Sequence, residues 1–359
     1  IVSVALYTFD PDLQVKQANG YWSELTSYWL FLCAATLIVI VHVFDDIKGL
    51  KPLTKLFFQT VAILIVLGPW VDRFHGVLLF GFSNPLGSSA ANAATPWYLK
   101  PEITLFIHST QFINSHGFIW AVIPSVIFTW FWMVGMMNAV NWTDGVDGLA
   151  TGVCGIAALF IAVTSWILGQ HTIALLAAIF TGAVLGFLPH NWNPARIFMG
   201  DTGSQFLGLG LAVLSIIGGA KVALALMVMG VPILDMALVI INRVRHGYSP
   251  THADKTHLHH RLLATGLSPR QICYILYGLT LIFGILAVNF PRIYKLIGLA
   301  LVFVTMVVLI IWLDHLRRKH TGDSDVTLIP LIQEEDGTAE ATAPLPDSLD
   351  VHADARLPR

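Results

Sequence analysis

The chain has 359 residues, 55% of them hydrophobic and only 12% charged, and its mean hydropathy is +0.71. These values lie outside the range of a soluble domain and read as an all-α, polytopic integral membrane helical bundle. A net charge of −2, with Lys and Arg scattered along the chain, excludes a basic patch for nucleic acid.

Apolar runs of membrane-spanning length, about 20 residues, fall at Ser27–Phe44, Lys55–Trp70, Phe118–Met137, Leu149–Leu168, Thr172–Leu188, Gln205–Gly219, Val222–Ile241, Ile272–Phe290 and Ile293–Leu313. They predict about nine transmembrane helices. Ile1–Tyr7 is apolar but too short to span, and reads as the end of a helix that starts before Ile1. Val71–Gly117, with Gly, Ser, Asn and Pro through its middle, reads as an outward-facing loop. Beyond Lys319 the composition turns to acidic residues, Thr, Ala and Pro. The chain therefore divides into a membrane domain over 1–319 and a disordered cytoplasmic tail over 320–359.

If every run crosses, the ends after Phe44, Met137, Leu188, Ile241 and Leu313 emerge on one side. That side carries Lys48, Lys51, Lys55, Arg196, Arg243, Arg245, Lys255, Arg261, Arg270, Arg317, Arg318 and Lys319, against Lys16, Arg73, Lys100, Lys221, Arg292 and Lys295 on the other. The excess of cations assigns it to the cytoplasm.

Four polar islands interrupt the apolar sequence, all on that cytoplasmic side: Phe44 to Gly49, Asn138 to Gly148, Phe198 to Ser204 and His257 to Arg261. An Asp at the bilayer centre costs roughly 2.5 to 3.5 kcal/mol, so burying Asp45, Asp46, Asp144, Asp147 and Asp201 there would cost about 12 kcal/mol or more. That is comparable to the ~5 to 15 kcal/mol stability of a whole domain. The five aspartates are therefore expected at a membrane edge or in a hydrated cavity, around a cation.

Gly200-Asp201-Thr202-Gly203-Ser204 opens a Gly-rich helix, where glycines let backbone amides approach a phosphate and the helix N-terminus favours an anion. Asp201 suits Mg²⁺, which takes one or two carboxylates and keeps waters and phosphate oxygens for its other positions. The adjacent Asp45 and Asp46 cannot both ionise cheaply without a cation or a basic neighbour, and Lys48, Lys51 and Lys55 follow. Asn138, Asn141, Asp144 and Asp147 recur every third residue, a spacing that sets polar groups on neighbouring faces of a helix or turn. His257, His259, His260 and Arg261 lack the spacing and the Cys partner of a zinc site. Imidazoles beside an Arg suit anionic oxygens instead. A transporter would place its carboxylates mid-helix along a pathway, rather than at one face.

At these residues the chain resembles the polyprenyl-phosphate N-acetylhexosamine-1-phosphate transferases, in motif order and spacing, from about Ser27 to Leu313. The resemblance implies that Asp45 and Asp46 lie beside the metal and the lipid phosphate, either orienting or deprotonating that phosphate or attacking covalently. It implies that Asn138, Asn141, Asp144 and Asp147 serve the nucleotide and the active site. Asp201 is implied as the Mg²⁺ ligand, with Mn²⁺ as a substitute, and Asn191 as a residue of the uridine region. Lys55, His257, His259, His260 and Arg261 become candidates for holding phosphates, His260 with a catalytic part. The implied partners are a UDP-N-acetylhexosamine, a polyprenyl phosphate and the lipid bilayer, with a homodimer allowed. The implied location is the bacterial cytoplasmic membrane, with the site facing the cytoplasm. Family members carry further helices ahead of the position of Ile1, about eleven in all. His259-His260-Arg261-Leu262-Leu263 is similar to the WecA-like branch, which transfers N-acetylglucosamine 1-phosphate to make envelope polysaccharides. The muramyl-pentapeptide branch, with its triple-His stretch, is the alternative.

Overall fold

The computed structural model describes residues 21–67, 122–217, 221–249, 257–290 and 294–321. The regions read above as a leading helix end, an outer loop and a tail lie outside the described residues, apart from the first two residues of the tail. Eleven helices make up the described part. They are α1 (Tyr21–Lys48), α2 (Pro52–Leu67), α3 (Val122–Thr143), α4 (Leu149–Ile167), α5 (His171–Asn191), α6 (Gly200–Ile217), α7 (Val222–Val228), α8 (Gly230–Arg245), α9 (Leu258–Ala264), α10 (Pro269–Asn289) and α11 (Tyr294–Thr321).

The described part of each apolar run is helical, and among the described residues five helices are by themselves long and apolar enough to cross a membrane. The pair α7 and α8 is apolar enough to count as a sixth only if taken together, and it is bent by 76°. The apolar run Val222–Ile241 predicts one helix; the structure breaks it in two at Met229. Pro232, in the first turn of α8, has no N–H with which to continue the hydrogen-bond ladder from α7. Met229 ends α7 by donating its N–H to the Ala225 carbonyl at 2.8 Å. The protein is a polytopic membrane protein.

α4 is the central strut, with thirteen buried residues around its circumference. Its small residues admit neighbours closely. A Cβ on Gly152 would lie 1.9 Å from the Tyr277 ring of α10, and one on Gly284 of α10 would lie 2.0 Å from the Phe160 ring of α4. Each helix thus seats an aromatic knob in the other's glycine hole. α6 packs as tightly on α3, since a Cβ on Gly208 would meet the Met137 backbone at 2.5 Å.

Helix starts and stops collect at one end of this bundle. α1 closes on Gly49, whose φ of 66° and bond from its N–H to the Asp45 carbonyl at 2.7 Å make a left-handed cap. α10 opens on Ser268 with Pro269 in its first turn, and Gln271 completes a capping box. Between them the C-terminal ends of α3 and α5 meet the N-terminal ends of α4 and α6, so consecutive long helices run antiparallel and deliver all four islands to one end.

Candidate active site

Lys55, one turn into α2, is the electrostatic centre. Its Nζ lies 2.6 Å from Asp45 Oδ2 at the end of α1 and 2.6 Å from Asp201 Oδ2 at the start of α6. Asp45 is only 5% exposed, and its other oxygen accepts the Leu50 N–H at 2.6 Å. A carboxylate buried to that degree needs a counter-charge, and Lys55 supplies it to two carboxylates at once. The second oxygen of Asp201 accepts from Asn141 Nδ2 at 2.9 Å, and the same nitrogen lies 2.9 Å from Ser204 Oγ.

Asp46 points the other way. Oδ1 accepts the Asp201 N–H at 2.8 Å, and Oδ2 accepts the Thr202 N–H at 3.1 Å and the Thr202 hydroxyl at 2.6 Å. Its carboxylate therefore closes the N-terminus of α6, where unpaired amides and the helix dipole favour an anion. Gly200 makes room for it: φ is 65°, and a Cβ there would stand 2.8 Å from Asp46 Oδ2.

Asp144 sits in the turn between α3 and α4, and its side chain makes no hydrogen bond or ion pair among the described residues. Burial, then the carboxylates of Asp201, Asp147 and Asp46, push its pKa up to about 7. This uncompensated carboxylate, facing three others, is the point where a divalent cation would relieve most repulsion. Among the described residues no three His, Cys, Asp or Glu side chains converge as a preformed set. Asp144 with Asp201 nonetheless matches the one or two carboxylates Mg²⁺ takes when phosphate oxygens and waters complete its shell.

Two further candidates, Asp147 of the second island and Asn191 at the end of α5, are taken up by hydrogen bonds to neighbouring backbone. Asp147 Oδ2 accepts from Asn193 Nδ2 and from the Ala195 N–H, both at 3.0 Å, and so ties down the loop between α5 and α6. Asn191, 2% exposed, accepts the Gly148 N–H at 3.1 Å and the Thr151 hydroxyl at 2.6 Å, while its Nδ2 donates to the Ile197 carbonyl at 3.0 Å. Gly148, with φ of 82°, turns the chain into α4 against this amide. Asn138 belongs to a layer further into the bundle. It donates to Gln59 Oε1 at 3.3 Å, and Gln59 donates to Gln205 at 2.9 Å, an amide string joining α3, α2 and α6.

The His island forms α9, which lies on the Asp144 turn: a Cβ on Gly145 would fall 2.1 Å from His259 Nε2. Burial, then His260 and His257, hold the His259 imidazole far below its usual range, at about 3. The rings of His257 and His259 are stacked 5.8 Å apart, and those of His259 and His260 lie 4.3 Å apart. Arg261 is the next residue of the same helix. His257 also meets the edge of Trp142 at 5.1 Å, and the Arg243 guanidinium covers Trp142 at 4.9 Å.

The structure thus brings Asp45, Asp46, Lys55, Asn141, Asp144 and Asp201 into one cluster. It sets Asp147 and Asn191 beneath it and α9 beside it. Sequence reasoning missed Gln59, Thr202, Ser204, Gln205 and Asp235. For Asp235 a signal existed: a lone carboxylate in the run Gly230-Val231-Pro232-Ile233-Leu234-Asp235 is costly unless it is paired.

The pattern of glycosyl transferase family 4 matches residues 28–219, which include three of the four islands. The chain is 37% identical over 269 residues to a probable undecaprenyl-phosphate N-acetylglucosaminyl 1-phosphate transferase of Bacillus subtilis, a match covering 72% of this chain and 73% of that protein. It is 36% identical over 271 residues to a decaprenyl-phosphate N-acetylglucosaminephosphotransferase of Mycobacterium leprae, covering 68% of this chain and 60% of that protein. A phospho-N-acetylmuramoyl-pentapeptide-transferase of Staphylococcus aureus is 38% identical over a shorter match of 163 residues, 45% of this chain and 50% of that one. With more than half its length inside the family pattern and relatives that share its span, the chain belongs to glycosyl transferase family 4.

Proposed function

We propose that the protein transfers N-acetylglucosamine 1-phosphate from UDP-N-acetylglucosamine to a polyprenyl phosphate and releases UMP, at the cytoplasmic face of a bacterial membrane. The observation that carries this reading is one cluster at the end of a membrane helix bundle, in which Lys55 bridges Asp45 and Asp201 while Asp46 and Asp144 lie beside Asp201. Carboxylates gathered beside an ammonium at the end of a membrane bundle suit a cation and the phosphates it would neutralise. The names of the relatives agree with it.

In the reaction a phosphate oxygen of the lipid forms a bond to the sugar-bearing phosphorus of the donor. The bond from that phosphorus to the bridging oxygen breaks, and UMP leaves with the electron pair. Two anions must approach one another, so catalysis is chiefly positioning and charge neutralisation. Asp144 and Asp201 would hold Mg²⁺, which when bound neutralises diphosphate charge. Lys55 keeps Asp201 ionised and fixed in place. Asp46 holds the first turn of α6, setting where Asp201 stands. Asp147 and Asn191 pin the loop from Asn193 to Phe198 over the site. Asp45 is the buried anchor of Lys55, and His257, His259, His260 and Arg261 line the side for donor phosphates. All nine apolar runs crossing the membrane would leave the site cytoplasmic and the tail beyond Lys319 on the same side.

The test is UMP release by purified protein with undecaprenyl phosphate and Mg²⁺ against a panel of UDP-sugars. The expected result is turnover with UDP-N-acetylglucosamine, reversed by adding UMP to the lipid product. Turnover with UDP-muramyl-pentapeptide alone would move the chain to the other branch, and no turnover with any donor would overturn the reading.

A further inference from the structure

Asp235, on α8, makes two hydrogen bonds to the first residues of the His island. Its Oδ2 accepts from His257 Nδ1 at 2.9 Å and its Oδ1 accepts the Leu258 N–H at 2.8 Å. Both carboxylate oxygens are thus committed to one ring and to the amide beside it. The His257 ring is 7% exposed overall, edge-on to Trp142 and stacked on His259. Its Nε2 makes no hydrogen bond among the described residues and is not among the atoms sealed from solvent. Trp142 in turn follows Asn141, whose amide holds Asp201. α8 therefore fixes an imidazole that stacks on His259, whose own ring lies against Gly145 beside Asp144.

We propose that Asp235 is a positioning residue for the phosphoglycosyl transfer: it holds His257 Nδ1 as the donor, and so presents Nε2 to a phosphate oxygen of the substrates. A carboxylate on one ring nitrogen selects the tautomer and the ring plane, and so decides what the other nitrogen can do. The plain structural alternative is that Asp235 only anchors the short helix α9 through the Leu258 amide.

The inference rests on the transferase reading, and the experiment separates the two. Full-length protein in lipid nanodiscs is assayed for UMP release from UDP-N-acetylglucosamine with undecaprenyl phosphate, as wild type, Asp235→Asn, Asp235→Glu, His257→Ala and Asp235→Asn/His257→Ala. Melting temperatures are taken on the same preparations. Asp235→Asn is expected to lower kcat about tenfold to a hundredfold, the range for losing a charge-assisted hydrogen bond, with KM for the donor within about threefold. His257→Ala is expected to lose a similar factor. The double variant should be no slower than the worse single, because both act through one group. Asp235→Glu should recover part of kcat. Multiplicative losses in the double variant, a change confined to KM, or wild-type kcat in Asp235→Asn would each overturn the proposal while leaving the transferase reading intact. If Asp235→Asn does not fold, Asp235→Glu decides: folded protein with kcat as low as His257→Ala overturns the proposal. No UMP from wild type with any donor overturns both.

Discussion

The carboxylate of Asp46 caps the helix that begins at Asp201: its Oδ1 accepts the Asp201 backbone N–H at 2.8 Å across 155 residues of sequence. The two aspartates of the first island therefore have different work. Asp45 neutralises Lys55, and Asp46 sets the first turn of α6.

Asp46→Ala removes the acceptor for the Thr202 hydroxyl and two amides, and a lost cap of this kind costs about 1 to 2 kcal/mol. Asp46→Asn keeps one oxygen and should retain most of that. Melting curves are expected to rank wild type, Asn, Ala in falling order, with UMP release falling in the same order. A fully stable but inactive Asp46→Ala would return this residue to a direct chemical role.

Lys55→Met leaves Asp45 and Asp201 without their shared cation. Removing one partner of a buried ion pair costs about 3 to 5 kcal/mol; since the Lys55 side chain is 28% exposed, the expected loss is near the lower end. Adding Asp45→Asn to Lys55→Met should restore part of the melting temperature without restoring activity. Additive destabilisation by the two substitutions would show that they do not act as a pair.

Asp144 and pH give a third test. The pKa is raised in the folded protein to about 7, against about 3.9 unfolded. A raised acid favours the fold below its unfolded pKa and takes that stability away as pH rises through its folded pKa. With divalent cations chelated, Asp144→Asn should therefore be more stable than wild type at about pH 8, by about 2 kcal/mol after allowing for its partial exposure, and equal to it near about pH 4. Mg²⁺ should raise the wild-type melting temperature at the higher pH and leave the variant's unmoved, while UMP release by the variant is lost. A variant that responds to Mg²⁺ as wild type does would remove Asp144 from the metal site.

Asp201→Asn keeps shape and loses charge, and turnover is expected to fall by at least about a hundredfold in folded protein. The freed Lys55 would still pair with Asp45, so the melting temperature should change little. Near-normal turnover would exclude Asp201 as the metal ligand.

Gly145→Ala probes the seat of α9. The added Cβ would stand 2.1 Å from His259 Nε2, so the ring must move, at a cost of about 1 to 3 kcal/mol for overpacking. Gly169→Ala, where nothing lies within 4 Å but φ is 73°, is the comparison for backbone strain alone. UMP release should fall for Gly145→Ala and hold for Gly169→Ala.

Apolar runs, the four polar islands and the identity of the acidic residues are local properties, and the sequence alone determined them. Hydropathy and spacing act over one helix or one turn, which is why Asp45, Asp46, Asp144 and Asp201 could be singled out one island at a time. Their roles are not local. Lys55 meets Asp201 across 146 residues, Asp147 meets the Asn193 amide across 46 and Asp235 meets His257 across 22. Those pairings depend on which helix ends share one end of the bundle, and packing at Gly152, Gly208 and Gly284 decides that. Hence tertiary structure alone separated the ammonium-paired Asp45 from the capping Asp46, turned Asp147 and Asn191 into loop anchors, left Asp144 as the unneutralised carboxylate and bent the chain at Met229. A hydrogen-bond acceptor looks the same in sequence whatever donor it finally meets, and only the fold chooses the donor.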